Sequence, residues 1–237
     1  MKVGAVIVAA GAGKRFGGSV KKQFYYIHKK PVIVWTLHAF ERQQKIDELI
    51  LVVNRDDKQQ VYDEIICKYP FSKPAKLVNG GDKRQDSVYK GVKSVSDDID
   101  IILVQDGVRP FVSSELINKV IEAAYDEGAA ICAIQENHTA VLSKNGYINE
   151  YLDRNSLYKL QTPQGFRKKL ILRAMESAYS DNYFGTDDSS LIIRMGEKVK
   201  IVMGTADNIK ITSKEDIIIA EKILEQAGDK YADRDWL

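Results

Sequence analysis

A glycine-rich segment with fixed cations comes directly after the first apolar run of the chain. It reads Ala9-Ala10-Gly11-Ala12-Gly13-Lys14-Arg15-Phe16-Gly17, and Lys22-Gln23-Phe24 follows it. Glycine lets backbone N–H groups approach phosphate oxygens closely, and Arg15 and Lys22 add positive charge beside them. The segment therefore predicts a phosphate-binding loop. A tight turn from strand to helix with solvated cations is the alternative that the segment alone leaves open.

Two commoner glycine loops do not fit this segment. A P-loop needs a glycine five positions before its Gly-Lys pair and a Ser or Thr after it, and Val8 and Arg15 stand at those positions. A dinucleotide-binding fingerprint needs a third glycine where Phe16 stands and an acidic residue after the second strand, which Asn54 follows instead. The sequence therefore excludes the first loop and disfavours the second.

Two further polar clusters follow predicted strands. Gly80-Gly81 and residues 84–87 open a helix after the third strand, so their N–H groups and the Ser87 hydroxyl could bind a base or a phosphate. Asp106 and Arg109 follow the fourth strand, where a carboxylate points into the ligand-binding crevice of such sheets and could serve a magnesium ion. Helix capping by Asp86 and Ser87, and an ion pair between Asp106 and Arg109, are the alternatives.

A third polar set comprises Arg154, Thr162, Gln164 and Lys210. Lys210 interrupts a short strand predicted at 207–212, and a lysine that points inward is costly unless an anion pairs with it. A lysine that points outward carries no such cost. The three histidines are scattered without the spacing of zinc ligands, so no zinc site is predicted.

Alternating strand-like and helix-like segments predict the scaffold that would position these residues. Unbroken apolar strands belong inside a mostly parallel sheet with helices on both faces, which predicts a doubly wound α/β fold. The predicted strands are 3–8, 49–53, 76–78, 101–105, 129–134 and 199–203, and the predicted helices are 32–42, 58–68, 84–94, 114–127, 167–179 and 214–226, with a short helix ending at Met195.

The rhythm breaks between residues 135 and 160. Short apolar stretches on either side of Lys144-Asn145-Gly146 predict a hairpin, which we interpret as a projecting β-arm at about 135–157. The sequence contains no internal repeat or linker, so a single domain over residues 1–237 is expected.

Composition excludes several classes of protein. The formal net charge of +2 comes from 35 basic and 33 acidic residues that are interspersed, so no nucleic-acid or membrane-surface partner is expected. Cys67 and Cys132 lie far apart, which argues against a metal knot or a disulfide framework. No apolar run approaches the roughly 18 residues of a membrane span. A cytoplasmic location is therefore expected.

Taken together, the motifs resemble the 2-C-methyl-D-erythritol 4-phosphate cytidylyltransferase family nearly end to end. The matching segments are Ala9 to Arg15, Lys22-Gln23-Phe24, Gly80-Gly81 with Arg84 and Asp86-Ser87-Val88, Asp106 with Arg109-Pro110-Phe111, Gln161-Thr162-Pro163-Gln164, Thr186-Asp187-Asp188 and Asn208-Ile209-Lys210-Ile211-Thr212. The resemblance implies a nucleotide-diphospho-sugar transferase-like fold, a Mg²⁺ cofactor, CTP and a polyol phosphate as substrates, and a homodimer formed through the β-arm.

The resemblance also implies residue roles. Arg15 and Lys22 would be the catalytic cations that hold the CTP phosphates, and Asp106 would serve the metal or the sugar alcohol. The other CTP-binding residues would be Ala10, Gly11, Gly13, Gly81, Arg84 and Ser87. Arg109, Thr162 and Lys210 would contact the acceptor, and Thr139 with Arg154 would reach its phosphate from the partner subunit's arm.

Several positions depart from the family pattern. Lys21 stands where the family usually has proline, Gln105 and Gly107 stand where it has histidine and alanine, and His138 stands where it has aspartate. His138 lies in the acceptor-binding arm, so the alternative acceptor is the ribitol 5-phosphate of a closely related cytidylyltransferase. A glycosyltransferase and a non-catalytic nucleotide-binding protein are the alternatives from other classes.

Overall fold

The computed structural model describes residues 1–13, 16–17, 20–69, 71–73 and 75–227. Seven strands of this part of the chain form one central sheet, and two strand pairs stand apart from it. In chain order the strands are β1 (Val3–Val8), β2 (Tyr26–Ile27), β3 (Lys30–Pro31), β4 (Glu48–Val53), β5 (Ala75–Asn79), β6 (Ile101–Asp106), β7 (Ala129–Gln135), β8 (Ala140–Lys144), β9 (Tyr147–Leu152), β10 (Tyr158–Arg167) and β11 (Lys200–Met203).

The central sheet has the order β11-β7-β10-β6-β1-β4-β5. β1 lies between β4 and β6 and is parallel to both. β10 runs antiparallel to both of its neighbours, β6 and β7. Because the chain leaves β1 for β4 on one side and reaches β6 on the other, the carboxyl end of β1 is the place where such sheets bind ligands.

Helices cover both faces of the sheet. They are α1 (Val32–Glu41), α2 (Lys58–Val61), α3 (Arg84–Ser94), α4 (Ser114–Glu127), α5 (Lys168–Ser180), α6 (Asp188–Arg194) and α7 (Glu215–Ala227). Ala5 and Ile7 of β1 pack with apolar residues of α1 and α4, while Val6 packs with those of α3 and α5. Successive side chains of a strand point to opposite faces, so a buried strand with helices on both sides must be apolar throughout.

The boundaries of α4 follow from its terminal residues. Ser113 accepts a hydrogen bond from the Leu116 N–H at 3.1 Å and so caps the first turn. Gly128 ends the helix with a φ of +89°, a backbone conformation that glycine adopts without strain. Ser113 and Gly128 therefore set the two ends of α4, which spans the residues predicted from the sequence, 114–127.

The doubly wound, mostly parallel fold predicted from the sequence is confirmed, with local differences. β10 and the short pair β2 and β3 have no counterpart among the predicted strands. The segment 207–212 is not a strand, and the helix predicted at 58–68 is α2 followed by a wider π-helical turn at Tyr62–Ile66. In the segment 207–212 the backbone bonds elsewhere, because Ile211 N–H donates to Val108 O at 2.9 Å and Asn208 O accepts from Arg109. The peptide groups of this segment therefore form hydrogen bonds with the loop after β6, and not with a neighbouring strand of a sheet.

β8 and β9 form the hairpin that the sequence predicted. Asn145 and Gly146 both have positive φ, at +54° and +82°, as the tight turn between twisted strands requires. The hairpin makes its own two-stranded sheet and exposes Tyr147, Ile148 and Tyr151 to 79%, 60% and 68%. Among the helices in the described ranges, none has the length and apolar character needed to cross a membrane.

Candidate active site

A cavity of about 420 Å³ opens at the carboxyl ends of β1, β4 and β6. Its wall contains six of the predicted nucleotide-binding residues: Ala10, Gly11, Lys22, Gly81, Arg84 and Ser87. Gly13 lies beside it, since a Cβ built on Gly13 would stand 3.5 Å from Cγ of Lys22. Arg15 lies outside the described residues. The predicted phosphate loop and the second glycine cluster therefore meet in one cavity.

A short 3₁₀-helix at Lys22–Phe24 brings the Lys22 side chain to this cavity. Gln23 is buried, and its Nε2 donates to the carbonyl oxygens of Ala9 and Gly11 at 3.0 and 3.3 Å. This amide therefore fixes the short helix against the glycine loop. The hydrogen bonds of Gln23 therefore help to fix the position of the Lys22 backbone.

The second glycine cluster is held by the start of α3. The Gly81 N–H donates to Oγ of Ser87 at 3.1 Å, and the Lys83 N–H donates to the Asp86 carboxylate at 2.9 Å. Ser87 thus orders the loop that forms the cavity wall, whereas Asp86 supplies the capping contact at the start of α3. The binding role of Ser87 stays a prediction.

Asp106 is a buried carboxylate surrounded by cations. Its Oδ2 lies 2.8 Å from Nζ of Lys210 and 3.7 Å from Nε of Arg109, and its Oδ1 lies 3.4 Å from Nε of Arg84. Burial alone would raise the pKa of Asp106, but the charges of Arg84 and Lys210 outweigh it and hold the pKa well below its ordinary range. The carboxylate is therefore ionised at every working pH, and Lys210 has the anionic partner that an inward lysine needs.

Arg84 joins Asp106 to a second buried carboxylate, Asp188. Arg84 Nη1 lies 2.8 Å from Oδ2 of Asp188 as an ion-pair contact. Burial raises the pKa of Asp188 despite the opposing charge of Arg84. Because an arginine stays protonated in proteins, Arg84 carries a fixed positive charge between the two acids. The two ion pairs therefore fix the position of the Arg84 side chain in the cavity wall.

Arg109 and Thr162 lie behind Asp106. Arg109 is buried, and its Nη1 donates to Asn208 O at 2.7 Å. Thr162 Oγ1 accepts a hydrogen bond from the Asp106 N–H at 3.1 Å. Neither residue lines the cavity. In this structure Thr162 orients Asp106, and Arg109 orients the segment that carries Lys210.

Thr139 and Arg154 lie on the arm, exposed and outside the cavity wall of their own chain. His138 is exposed, and both its N–H and its Nδ1 contact Oε1 of Glu136, at 2.9 and 3.0 Å. The backbone hydrogen bond from His138 is the main cause that lowers the pKa of Glu136 to about 2. The carboxylate of Glu136 is therefore the nearest charged group described for the His138 ring.

The sequence model of the 2-C-methyl-D-erythritol 4-phosphate cytidylyltransferase family, IspD, matches residues 3–226 of this chain. The chain belongs to this family. Proteins of that name from Clostridioides difficile (strain 630) and Bacillus cereus (strain ATCC 10987 / NRS 248) are 41% and 42% identical to it over 219 residues. The alignments cover 92% of this chain and 92% and 96% of the two relatives.

Solved structures agree with this assignment. The crystal structure of 4-diphosphocytidyl-2C-methyl-D-erythritol synthase from Anaerococcus prevotii DSM 20548 superposes with a TM-score of 0.84 at 34% identity, covering 94% of this chain and 96% of that one. The 2-C-methyl-D-erythritol 4-phosphate cytidylyltransferase from Thermus thermophilus superposes with a TM-score of 0.77 at 28% identity, covering 95% and 100%.

Two departures from the family pattern have a local structural basis. Lys21 has a φ of −66°, the value that a proline ring imposes, so the backbone keeps the conformation of the usual residue. A Cβ on Gly107 would stand 2.7 Å from Cδ1 of Ile33 and 3.1 Å from Cβ of Ala9. Gly107 therefore allows α1 to approach the end of β6 closely.

We expect Gly107→Ala to destabilise the protein by about 1–3 kcal/mol, because the new methyl group overpacks a buried contact. Denaturant unfolding of Gly107→Ala, with Ile33→Val as a second-site change that makes room for the methyl group, measures this. Recovery of stability in the double variant identifies the Ile33 contact as the cause. A Gly107→Ala variant as stable as the native protein would refute the steric interpretation.

The carboxylates of the cavity wall do not fit a magnesium ion held directly by the protein. Within the described ranges, no cluster of three or more His, Cys, Asp or Glu residues has metal-binding geometry. Both oxygens of Asp106 already face cations, and a divalent ion beside them would have to displace Lys210 or Arg84. The assignment of Asp106 as a metal ligand thus stays a prediction that this arrangement disfavours, whereas its acceptor-binding assignment remains compatible with its position.

Sequence reasoning assigned no role to Asp188 or to Gln23. Asp188 belongs to the matched Thr186-Asp187-Asp188 string, and its burial to 1% exposure beside Arg84 shows why an acid stands there. Gln23 belongs to the matched Lys22-Gln23-Phe24 string, but an amide that bonds to distant carbonyl oxygens leaves no periodic signal. Only the folded chain reveals what these two side chains hold in place.

Proposed function

We propose that this chain transfers CMP from CTP to 2-C-methyl-D-erythritol 4-phosphate and releases pyrophosphate. The observation that carries the proposal is the union of two cation sets around one cavity in a member of the cytidylyltransferase family. Lys22 lies beside the glycine loop, and Lys210 and Arg84 both contact Asp106 in the wall of the same cavity. One set suits a nucleotide triphosphate and the other suits a phosphorylated acceptor.

The proposed reaction needs no protein base. A phosphate monoester has its second pKa near 6, so the acceptor is mostly dianionic at pH 7 and already nucleophilic. An acceptor oxygen attacks the α-phosphorus of CTP in line, and the bond to pyrophosphate breaks. The protein then has to orient two anions and neutralise the charge that develops, which suits a wall rich in lysine and arginine.

Lys22 and Arg15 would stabilise charge on the triphosphate, and the backbone of Ala10, Gly11 and Gly81 would approach it closely. Lys210 would bind the acceptor phosphate or the developing charge, with its position set by Asp106. Magnesium remains a proposed cofactor, and it would screen the CTP phosphates when bound. Because Lys210 and Arg84 already face Asp106, the CTP phosphates rather than this carboxylate would hold the ion.

Pyrophosphate release from CTP with three acceptors tests the function. We expect turnover with 2-C-methyl-D-erythritol 4-phosphate and little with ribitol 5-phosphate or erythritol 4-phosphate. A preference for ribitol 5-phosphate would reassign the acceptor. Tight CTP binding without pyrophosphate release from any acceptor would contradict the proposed enzyme.

The arm supports a further proposal, that two chains form a homodimer with composite sites. A two-stranded hairpin has too little core to be stable alone in water, and this one exposes Tyr147, Ile148 and Tyr151. Thr139 and Arg154 would then reach the acceptor in the partner's cavity.

We expect Ile148→Asp with Tyr151→Asp to give a monomer with little activity, because charges in an apolar interface are left unpaired. Sedimentation and turnover measure this, and Tyr125→Asp on the exposed side of α4 is the matched control. Mixed dimers of Lys22→Ala and Arg154→Ala chains should recover activity, since one of their sites keeps both native residues. A fully active monomer would contradict the composite site.

A further inference from the structure

Lys21 and Asp57 form an ion pair beside the nucleotide cavity. Nζ of Lys21 lies 2.6 Å from Oδ1 and 2.7 Å from Oδ2 of Asp57. The Asp57 side chain is 10% exposed and that of Lys21 is 32% exposed. A pair at this depth is screened less by salt than one on the open surface. Neither residue lines the cavity, so direct ligand binding does not explain the pair.

Asp57 stands on a segment that is itself fixed to the sheet. It ends the short helix Arg55–Asp57 that follows β4, and its N–H donates to Asn54 O at 3.1 Å. The Asn54 side chain accepts the Asp56 N–H at 2.9 Å and also lines the cavity. The carboxylate that Lys21 meets therefore has a fixed position relative to the nucleotide site.

Lys21 stands at the start of the segment that carries Lys22. The Lys21 carbonyl accepts the Phe24 N–H at 2.9 Å and so opens the short helix Lys22–Phe24. On the other side of Lys22, Gln23 is bound to Ala9 and Gly11. Lys22 thus lies between two anchored neighbours, one bound to the short helix that follows β4 and the other to the glycine loop.

We propose that the Lys21–Asp57 ion pair is a positioning device, which holds the backbone of Lys22 so that its ammonium group faces the bound triphosphate. The proposal rests on the proposed role of Lys22. Anchoring both neighbours of a long side chain reduces the conformational freedom that must be lost on binding, and misplacement by about 1 Å can cost 10²-fold in rate. Because Asp57 neutralises Lys21, the pair adds no net attraction for the nucleotide.

The experiment measures kcat and KM for CTP in Lys21→Met, Asp57→Asn and the double variant, each in the native and the Lys22→Ala background. We expect Lys21→Met to lower kcat/KM for CTP about tenfold in the native background and to have almost no further effect when Lys22 is absent. Lys21→Arg, which keeps the ion pair, should restore native kinetics. Lys45→Met breaks an exposed ion pair with Glu122 and is the matched control.

Thermal unfolding of each variant separates positioning from folding. Equal losses in both backgrounds, or native kinetics in a folded Lys21→Met, would overturn the proposal. Native kinetics in Lys22→Ala would instead contradict the role of Lys22 itself. That result differs from one in which Lys22→Ala is inactive and the Lys21 variants are normal, which refutes the ion pair alone.

Discussion

Lys22→Ala is expected to lower kcat by about 10²-fold or more, the loss typical of a single preorganised electrostatic donor. Lys22 lines the cavity, and the buried side chain of the next residue, Gln23, fixes the short helix that carries it. Alanine removes the charge without disturbing these backbone anchors. The variant should therefore stay folded while the charge that develops on the phosphates goes unstabilised.

Turnover at saturating CTP with methylerythritol phosphate measures this effect, and circular dichroism with thermal unfolding checks the fold. Lys119→Ala, which removes an exposed lysine of α4, is the matched control. Arg15→Ala should show a comparable loss. Turnover near the native value in Lys22→Ala would exclude Lys22 from charge stabilisation.

The sheet was predictable because its strands carry strong local signals. β1, β4 and β6 each contain a continuous apolar run. That composition is needed because their buried side chains point alternately to two helical layers. The bounds of α3 and α4 were also predicted, at 84–94 and 114–127, from the spacing of their apolar residues. Sequence patterns of this kind depend on residues that are only a few positions apart.

β10 could not be predicted from its own residues. It contains Pro163 and Gly165, which are depleted in strands and argue against a central one. In the fold, the register with β7 shifts between Leu160 and Gln164, so Pro163 falls in an irregularity. A Cβ on Gly165 would meet Ala124 of α4 at 2.9 Å, so glycine is needed for close packing. Both exceptions depend on distant partners.

The candidate site divides in the same way. The glycine loop and Asp106 were predictable, since their chemistry and their positions after strands point to ligands. Of the ion-pair network, only the local contact between Asp106 and Arg109 was predicted, because Arg84, Asp188 and Lys210 join the network from three other segments. Charged residues that pair across such distances leave no periodic pattern in the sequence. The resemblance to the family identified most of these residues, but it did not show which of them pair with each other.

Asp106→Asn is expected to lower kcat/KM for the acceptor by about 10²-fold, as when one partner of a buried charge pair is removed. Asparagine keeps the shape of the side chain but leaves Lys210, Arg84 and Arg109 without their shared anion. Lys210, which lies 2.8 Å from Oδ2, would then lose its tether. The acceptor KM should rise, while the KM for CTP and the magnesium activation curve stay as in the native protein.

Asp82→Asn is the matched control, because Asp82 is an exposed carboxylate of the same cavity wall. If Asp106→Asn instead raised the magnesium requirement and left the acceptor KM unchanged, Asp106 would be a metal ligand. This outcome would also require the cations around the carboxylate to move aside on binding.

Stability against pH gives an independent measurement of the same network. The pKa of Asp106 is lowered from its usual 3.8, so the ionised carboxylate stabilises the fold above that pH and loses this contribution as the pH falls through the lowered value. The free energy of unfolding should therefore be higher for the native protein than for Asp106→Asn by a constant amount from pH 8 to about 5. The difference should shrink only in stronger acid. A difference that already shrinks between pH 7 and 5 would mean that a carboxyl of this network, Asp106 or Asp188, titrates there, and comparison with Asp188→Asn would tell which of the two it is.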